Sequence, residues 1–289
     1  MSRLAPLGVL ALAGCLVGGL TACGGEPAGD GGRPEVLVTS YPLEYVAEQV
    51  GGEHVMVANL TPRGGDTHGL EPAPRDVAAL GEADLVVHLS GGMQPAVDDA
   101  LAQQAPEHLV DAAGLADQGP DPHFWLDPLR LAELGHQVAG ELAEVDPDHA
   151  GDYAAAADRL EESLAAIDRD YAEGLAPCRG ATLLAAHEAF GYLADRYGLR
   201  QVGVAGLDPH VEPPPSRLRR VAEAVESSGA RTIFFEAAAG SSVAEVLAGD
   251  LGLTTDVLHP IERVADDESY PELMAANLAA LQRGLVCAG

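Results

Sequence analysis

Four stretches, GGDTHGLEP, DPHFWLDP, LLAAHEAFG and TDVLHPIE, each present one histidine: His68, His123, His187 and His259. Each lies at the end of an apolar run or in a rigid loop framed by glycine and proline. Neutral imidazole is the commonest protein ligand for zinc, and four convergent ring nitrogens, or three with a carboxylate, complete a tetrahedral shell. More than fifty residues separate each candidate from the next, so any shared site must be built by the fold and not by a local finger. A single histidine after a strand is more often a surface or packed residue than a ligand, and the chain has ten of them. His88 sits within an apolar run and reads as core, whereas His210, in GLDPHVEPPP, is the leading competitor. A hydrolase would need an open metal position and a general base. HEAFG opens like the H-E-x-x-H motif, with Glu188 as the base, but Gly191 stands where the second helical histidine belongs. The chain therefore reads as a binder of metal and not as an enzyme.

The elements that must position these residues alternate. Strands are expected at 35–40, 54–60, 84–90 and 108–113, and again at 181–187, 201–207, 231–237 and 255–259, with helical patterns between them. Such alternation means βαβ units and an α/β fold of mostly parallel sheets flanked by helices. The two sets of strands imply two lobes, 35–146 and 178–289. Between them, 147–177 reads as one long linking helix. No glycine or proline interrupts Asp152 to Glu173, and Leu160, Leu164 and Ile167 form one apolar stripe. About 25 residues at 1.5 Å each span roughly 37 Å, a rigid strut that limits hinging. All four histidines lie at or beyond carboxyl ends of strands, where open α/β sheets hold ligands. Two come from each lobe, which places a metal cleft between the lobes.

Charge and the N-terminus set the surroundings. With 45 acidic residues against 16 basic ones and a net charge of −29, the chain has no basic face for nucleic acid. Residues 1–22 read as a bacterial lipoprotein signal, with one arginine, an apolar stretch and Leu20-Thr21-Ala22 before Cys23. Cys23 would be lipidated and tether the protein to the bilayer through the polar segment 23–34, on the outer face of the cytoplasmic membrane or in a periplasm. Cys15 closes an earlier, poorer version of the same motif, and an uncleaved membrane anchor is the remaining reading. Cys178 and Cys287 are either a disulfide, the simplest state in an exported protein, or two buried thiols.

From about residue 34 onward the chain resembles the metal-binding lipoprotein components of ABC importers for zinc and manganese. GGDTHGLEPAPRD looks like the first ligand loop of that family and DPHFWLDP like the second. HEAFGYLADRYGL resembles the third, and GVAGLDPHVEPPP and TIFFEAAAGSSVAEVLAGDLG continue the likeness. The resemblance implies two α/β lobes bridged by a long helix, with His68, His123 and His187 as the first three ligands. Manganese members usually carry Glu at the third position, so His187 implies zinc. The fourth ligand is usually an Asp near L-D-P-[LI]-E. Here the stretch is LHPIE, with His259 in that slot and Asp256 three residues out of register, so His259 is the expected fourth ligand, with Asp256 or a water as the alternatives. The acid- and His-rich loop of many zinc members is absent from LADQGPDP (115–122), which implies one Zn2+ per chain. Partners implied are an ABC permease with a separate ATPase subunit, the receptor itself being a monomer. A manganese receptor, or a metal-dependent surface adhesin on the same scaffold, is the alternative.

Overall fold

The structure is a computed structural model that describes residues 32–236 and 242–287. The expected export signal, with Cys15 and Cys23, lies outside the described residues.

Among the described residues, eight short strands form two parallel sheets. In the first, β1 (Glu35–Val38), β2 (Met56–Asn59), β3 (Leu85–His88) and β4 (Leu109–Asp111) run in the order β2-β1-β3-β4. In the second, β5 (Thr182–Ala185), β6 (Arg200–Gly203), β7 (Thr232–Phe235) and β8 (Thr254–Val257) run β6-β5-β7-β8. The two orders are the same. In β3 every residue is buried, His88 included, because helices cover both faces of a parallel sheet. Each strand order reverses beside its first strand, which opens a crevice at the carboxyl edge.

The helices are α1 (Tyr41–Gly51), α2 (Pro74–Glu82), α3 (Pro95–Gln104), α4 (Pro128–Val145), α5 (Ala150–Gly174), α6 (Gly191–Tyr197), α7 (Pro215–Ser228), α8 (Ser242–Leu251) and α9 (Tyr270–Gly284). In α1, α2, α3, α4, α7 and α9 a proline occupies the first turn, where its missing N–H leaves no intrahelical bond unmade. The long helix expected over 147–177 is α5 itself, 25 residues, flanked by single 3₁₀ turns at Pro147–His149 and Ala176–Cys178. It is no free strut. Tyr153, Ala156, Ala157, Leu160, Leu164 and Tyr171 are buried, and it packs along α4 and α1 on one side and α9 on the other. Gly135 of α4 meets Leu160 there so closely that even a Cβ would touch the Leu160 Cδ2 at 3.0 Å.

The largest of three buried apolar clusters runs through the molecule, from Val36 of β1 through Leu134 of α4 and Leu160 of α5 to Leu183 of β5 and Leu281 of α9, with smaller ones around Leu184 and Leu37. Polar bonds cross the same interior. The Trp125 indole N–H donates to the Pro260 carbonyl at 2.8 Å, and the Tyr270 hydroxyl to the Trp125 carbonyl at 2.7 Å. The Tyr171 hydroxyl donates to the Met274 carbonyl at 2.7 Å. A disulfide joins Cys178, at the end of α5, to Cys287 after α9. Among the described residues no helix is long and apolar enough to cross a membrane.

Candidate metal centre

Two of the site-bearing loops open with the same device. In Asp66-Thr67-His68 the His68 N–H donates to Asp66 Oδ1 at 3.0 Å, and in Asp121-Pro122-His123 the His123 N–H donates to Asp121 Oδ1 at 3.0 Å. An Asx turn of this kind satisfies the backbone locally and throws the histidine outward. Asp208-Pro209-His210 repeats it, with the bond at 2.8 Å.

The His68 loop is pinned from below. Gln94, buried at the start of α3, donates to the Thr39 carbonyl at 2.9 Å and to the Thr67 carbonyl and hydroxyl at 3.1 and 3.2 Å. Gly69 N–H donates to the Met93 carbonyl at 3.1 Å, so both neighbours of His68 are tied to one dipeptide. His123 is fully buried, and Asp121 Oδ1 also lies 2.7 Å from its Nδ1, which leaves Nε2 to face the centre. His187 stands two residues beyond β5, buried, with Glu236 Oε1 2.5 Å from its Nδ1. These two carboxylates orient the rings they touch, a role that carboxylates beside metal-bound histidines commonly fill.

The fourth member of the group is Glu262. One ligand atom each from His68, His123, His187 and Glu262 lies within 4.8 Å of the other three. Glu262 Oε1 is 2.6 Å from His123 Nε2 and 3.1 Å from His68 Nε2. The ring centroids of the three histidines are 5.6 to 6.5 Å apart. Nε2 of His123 and both ring nitrogens of His187 are buried without an aligned hydrogen bond. Such atoms are costly, about 1–3 kcal/mol each, and a dication bonded to the inward-facing nitrogens would relieve that. Three nitrogens and one carboxylate oxygen converging in a buried pocket match the donor set and number of tetrahedral zinc.

His259, expected in this position, is not in the group. Its backbone N–H donates to Asn277 Oδ1 and its carbonyl accepts from Asn277 Nδ2, both at 2.7 Å. Its side chain lines a separate cavity of about 240 Å³ with Gly64, Pro260 and Glu268. The chain then turns at Ile261, whose φ of +61° is rare for a β-branched residue. That turn, with the Trp125 bond to Pro260, aims Glu262 inward. Asp256 is spent on Arg283, at 3.0 to 3.1 Å. Glu188 pairs with Arg217 at 2.6 Å. His210 lies outside the group, and His88 is buried in β3. Gly191 has a different use: a Cβ there would meet Asp121 Oδ2 at 2.3 Å. The residues of a second grouping, His136, Asp158 and Glu161 on α4 and α5, are all exposed.

The electrostatics suit a site that exchanges protons for metal. Burial disfavours the charged form of His123, but Glu262 and Asp121 outweigh it and push its pKa up to about 9. The same contest, won by Glu262, raises His68. Burial alone would raise the Glu262 carboxyl, yet His123 and His68 hold it well below the usual carboxylate range.

The comparisons agree with this geometry. The family model for the periplasmic zinc-uptake complex component A, ZnuA, matches residues 36–284. The zinc-binding lipoprotein AdcA of Streptococcus pneumoniae serotype 4 is 31% identical over 291 residues, covering 91% of this chain but 58% of its own length. The high-affinity zinc uptake system protein ZnuA of Bacillus subtilis is 29% identical over 311 residues, covering 96% and 97%. Among solved structures, the Zn(II)-bound ZnuA-like domain of S. pneumoniae AdcA aligns with a TM-score of 0.76 and 32% identity, covering 88% of this chain and 99% of that one. The laminin-binding protein Lmb of Streptococcus agalactiae, described as a bifunctional protein with adhesin and metal transporting activity, aligns at 0.79 and 29%, covering 87% and 99%. The chain thus spans little more than half of the first relative and nearly all of the second, and it belongs to the ZnuA family of zinc-uptake substrate-binding components.

Proposed function

We propose that this chain is an extracytoplasmic receptor that captures one Zn2+ between His68, His123, His187 and Glu262 and delivers it to an ABC-type importer. The observation that carries the reading is the convergence of these four side chains in a buried pocket. Zinc with three neutral imidazoles and one carboxylate leaves a net charge of +1, and Asp121 and Glu236, touching the outer nitrogens of two rings, offset it. A nitrogen-rich donor set disfavours manganese, whose preference is for oxygen. The same set ranks copper above zinc, so geometry and metal supply must complete the selectivity.

No chemistry is required of the protein beyond replacing the ion's water shell. The receptor role fits a chain tethered through a lipidated Cys23, acting as a monomer and meeting a permease and its ATPase as separate chains. The adhesin reading rests on the description of relatives such as Lmb.

The test is metal analysis with competitive titration of the purified full chain. One tight zinc, displacing manganese at equal free concentration, is the expected result. Two or more tight ions, or manganese outcompeting zinc, would overturn it.

A further inference from the structure

The loop that carries His68 and the loop that carries Glu262 are joined rung by rung. Gly64 N–H donates to the Val264 carbonyl at 2.9 Å. Asp66 pairs with Arg263 through Oδ2 and Arg263 Nη2. His68 Nε2 meets Glu262 Oε1 at 3.1 Å. Residues 64, 66 and 68 thus face 264, 263 and 262 across the boundary between the two sheets. Asp66 has a second partner on the far side, His210 Nε2, at 2.6 Å on the same Oδ2 oxygen. The Asx turn that presents the metal-facing histidines here presents His210 to a carboxylate instead.

We propose that Asp66, gripped by Arg263 and hooked by His210, is a clasp that holds the two ligand loops together and sets the rate at which zinc leaves. This rests on the zinc-receptor reading above. The physical argument is one of leverage. The shared core and its cross-bonds leave little room for the two sheets to swing apart. Release therefore needs the loops themselves to part, and the outermost rungs must break first. A partly exposed ion pair contributes little to global stability. Its whole effect here falls on the opening step, because both of its ends are fixed beside ligands. Asp66 and Arg263 act through His68 and Glu262 and are positioning residues. A cavity of about 390 Å³ beside His68, lined by Gly91, Gly92, Met93, Pro122 and Asp208, is the space into which the freed loop can move.

The test is stopped-flow release of zinc from the full chain into excess chelator, with stoichiometry and near-UV circular dichroism measured on each variant. Asp66→Asn and Arg263→Gln should each speed release about tenfold, and the double variant should go no faster than either alone, as coupled partners require. His210→Ala should speed it about twofold to threefold, being the more exposed hook. Arg263→Lys, which keeps the charge and leaves the Asp66 turn that presents His68 intact, should hold release within about threefold of the parent, which a nonspecific loss of packing would not. Should Asp66→Asn fail to fold, Arg263→Gln and Arg263→Lys still decide. Release within twofold of the parent, or single effects that multiply, would overturn the clasp. A parent chain that binds no zinc would instead overturn the receptor reading.

Discussion

Glu262 supplies the only anionic donor in the group of four, and its loss should be felt as charge. Glu262→Gln keeps the shape but leaves zinc with three imidazoles and a net +2 in a buried pocket, so affinity should fall about 10–100-fold. His259→Ala, which touches only the neighbouring cavity, should stay within about threefold of the parent. Competitive titration separates the two, and an equal loss in both would return His259 to the site. Protons give a second prediction. In the metal-free protein the raised His123 contributes stability that is complete below its ordinary value of 6.5 and fades as pH climbs through about 9. Glu262, held low, contributes stability present above its ordinary 4.5 and lost only as pH falls through its depressed folded pKa. Both are whole between about 4.5 and 6.5, and zinc must displace the proton on His123. The gain in Tm on adding zinc should therefore grow from pH 6.5 to 9. A flat or shrinking gain would count against this proton–metal exchange.

At the scale of elements, the first turn of α6 is fitted to the second ligand loop. Asp121 is held by two contacts to His123, so the methyl of Gly191→Ala would press on a carboxylate that cannot easily yield. The variant should fold normally and bind zinc several-fold more weakly through a tilted His123, less than the roughly 10–100-fold that removing an orienting partner costs. Unchanged affinity would show that Asp121 yields freely. Much of this arrangement was legible in the residues. Six of the eight strands lie within the apolar runs that announced them, and β6 and β8 each begin one residue before theirs; His68 and His123 stand past strand ends in glycine- and proline-framed loops, and His187 stands two residues past β5. Glu262 was not legible as a member of the group because its approach is made by tertiary contacts. Asn277, eighteen residues downstream, grips both sides of the His259 backbone. Ile261 then reverses the path at a left-handed φ that no propensity would assign to it. Without those two contacts, the nearest metal-binding side chain to the end of β8 is the natural choice.

Across the whole molecule, the disulfide and the shared core both bear on stability. Cys178 and Cys287 are 109 residues apart, and closing a loop of that size removes about 4–5 kcal/mol of unfolded-state entropy in the chain-entropy account. Reduction should lower Tm by about 10 °C while leaving zinc stoichiometry at one, because the bridge lies where α5 and α9 end and not in the metal centre. A Tm unchanged by reduction would mean that the bridge constrains nothing that packing does not already hold. The core that runs unbroken from Val36 to Leu281 has a consequence for amide hydrogen exchange. With no sub-global opening that frees one sheet alone, the slowest amides of β1 and β5 should exchange at one common rate, set by complete unfolding. Zinc held at one edge would then slow exchange in both sheets by the same factor, in residues that never come near the ion.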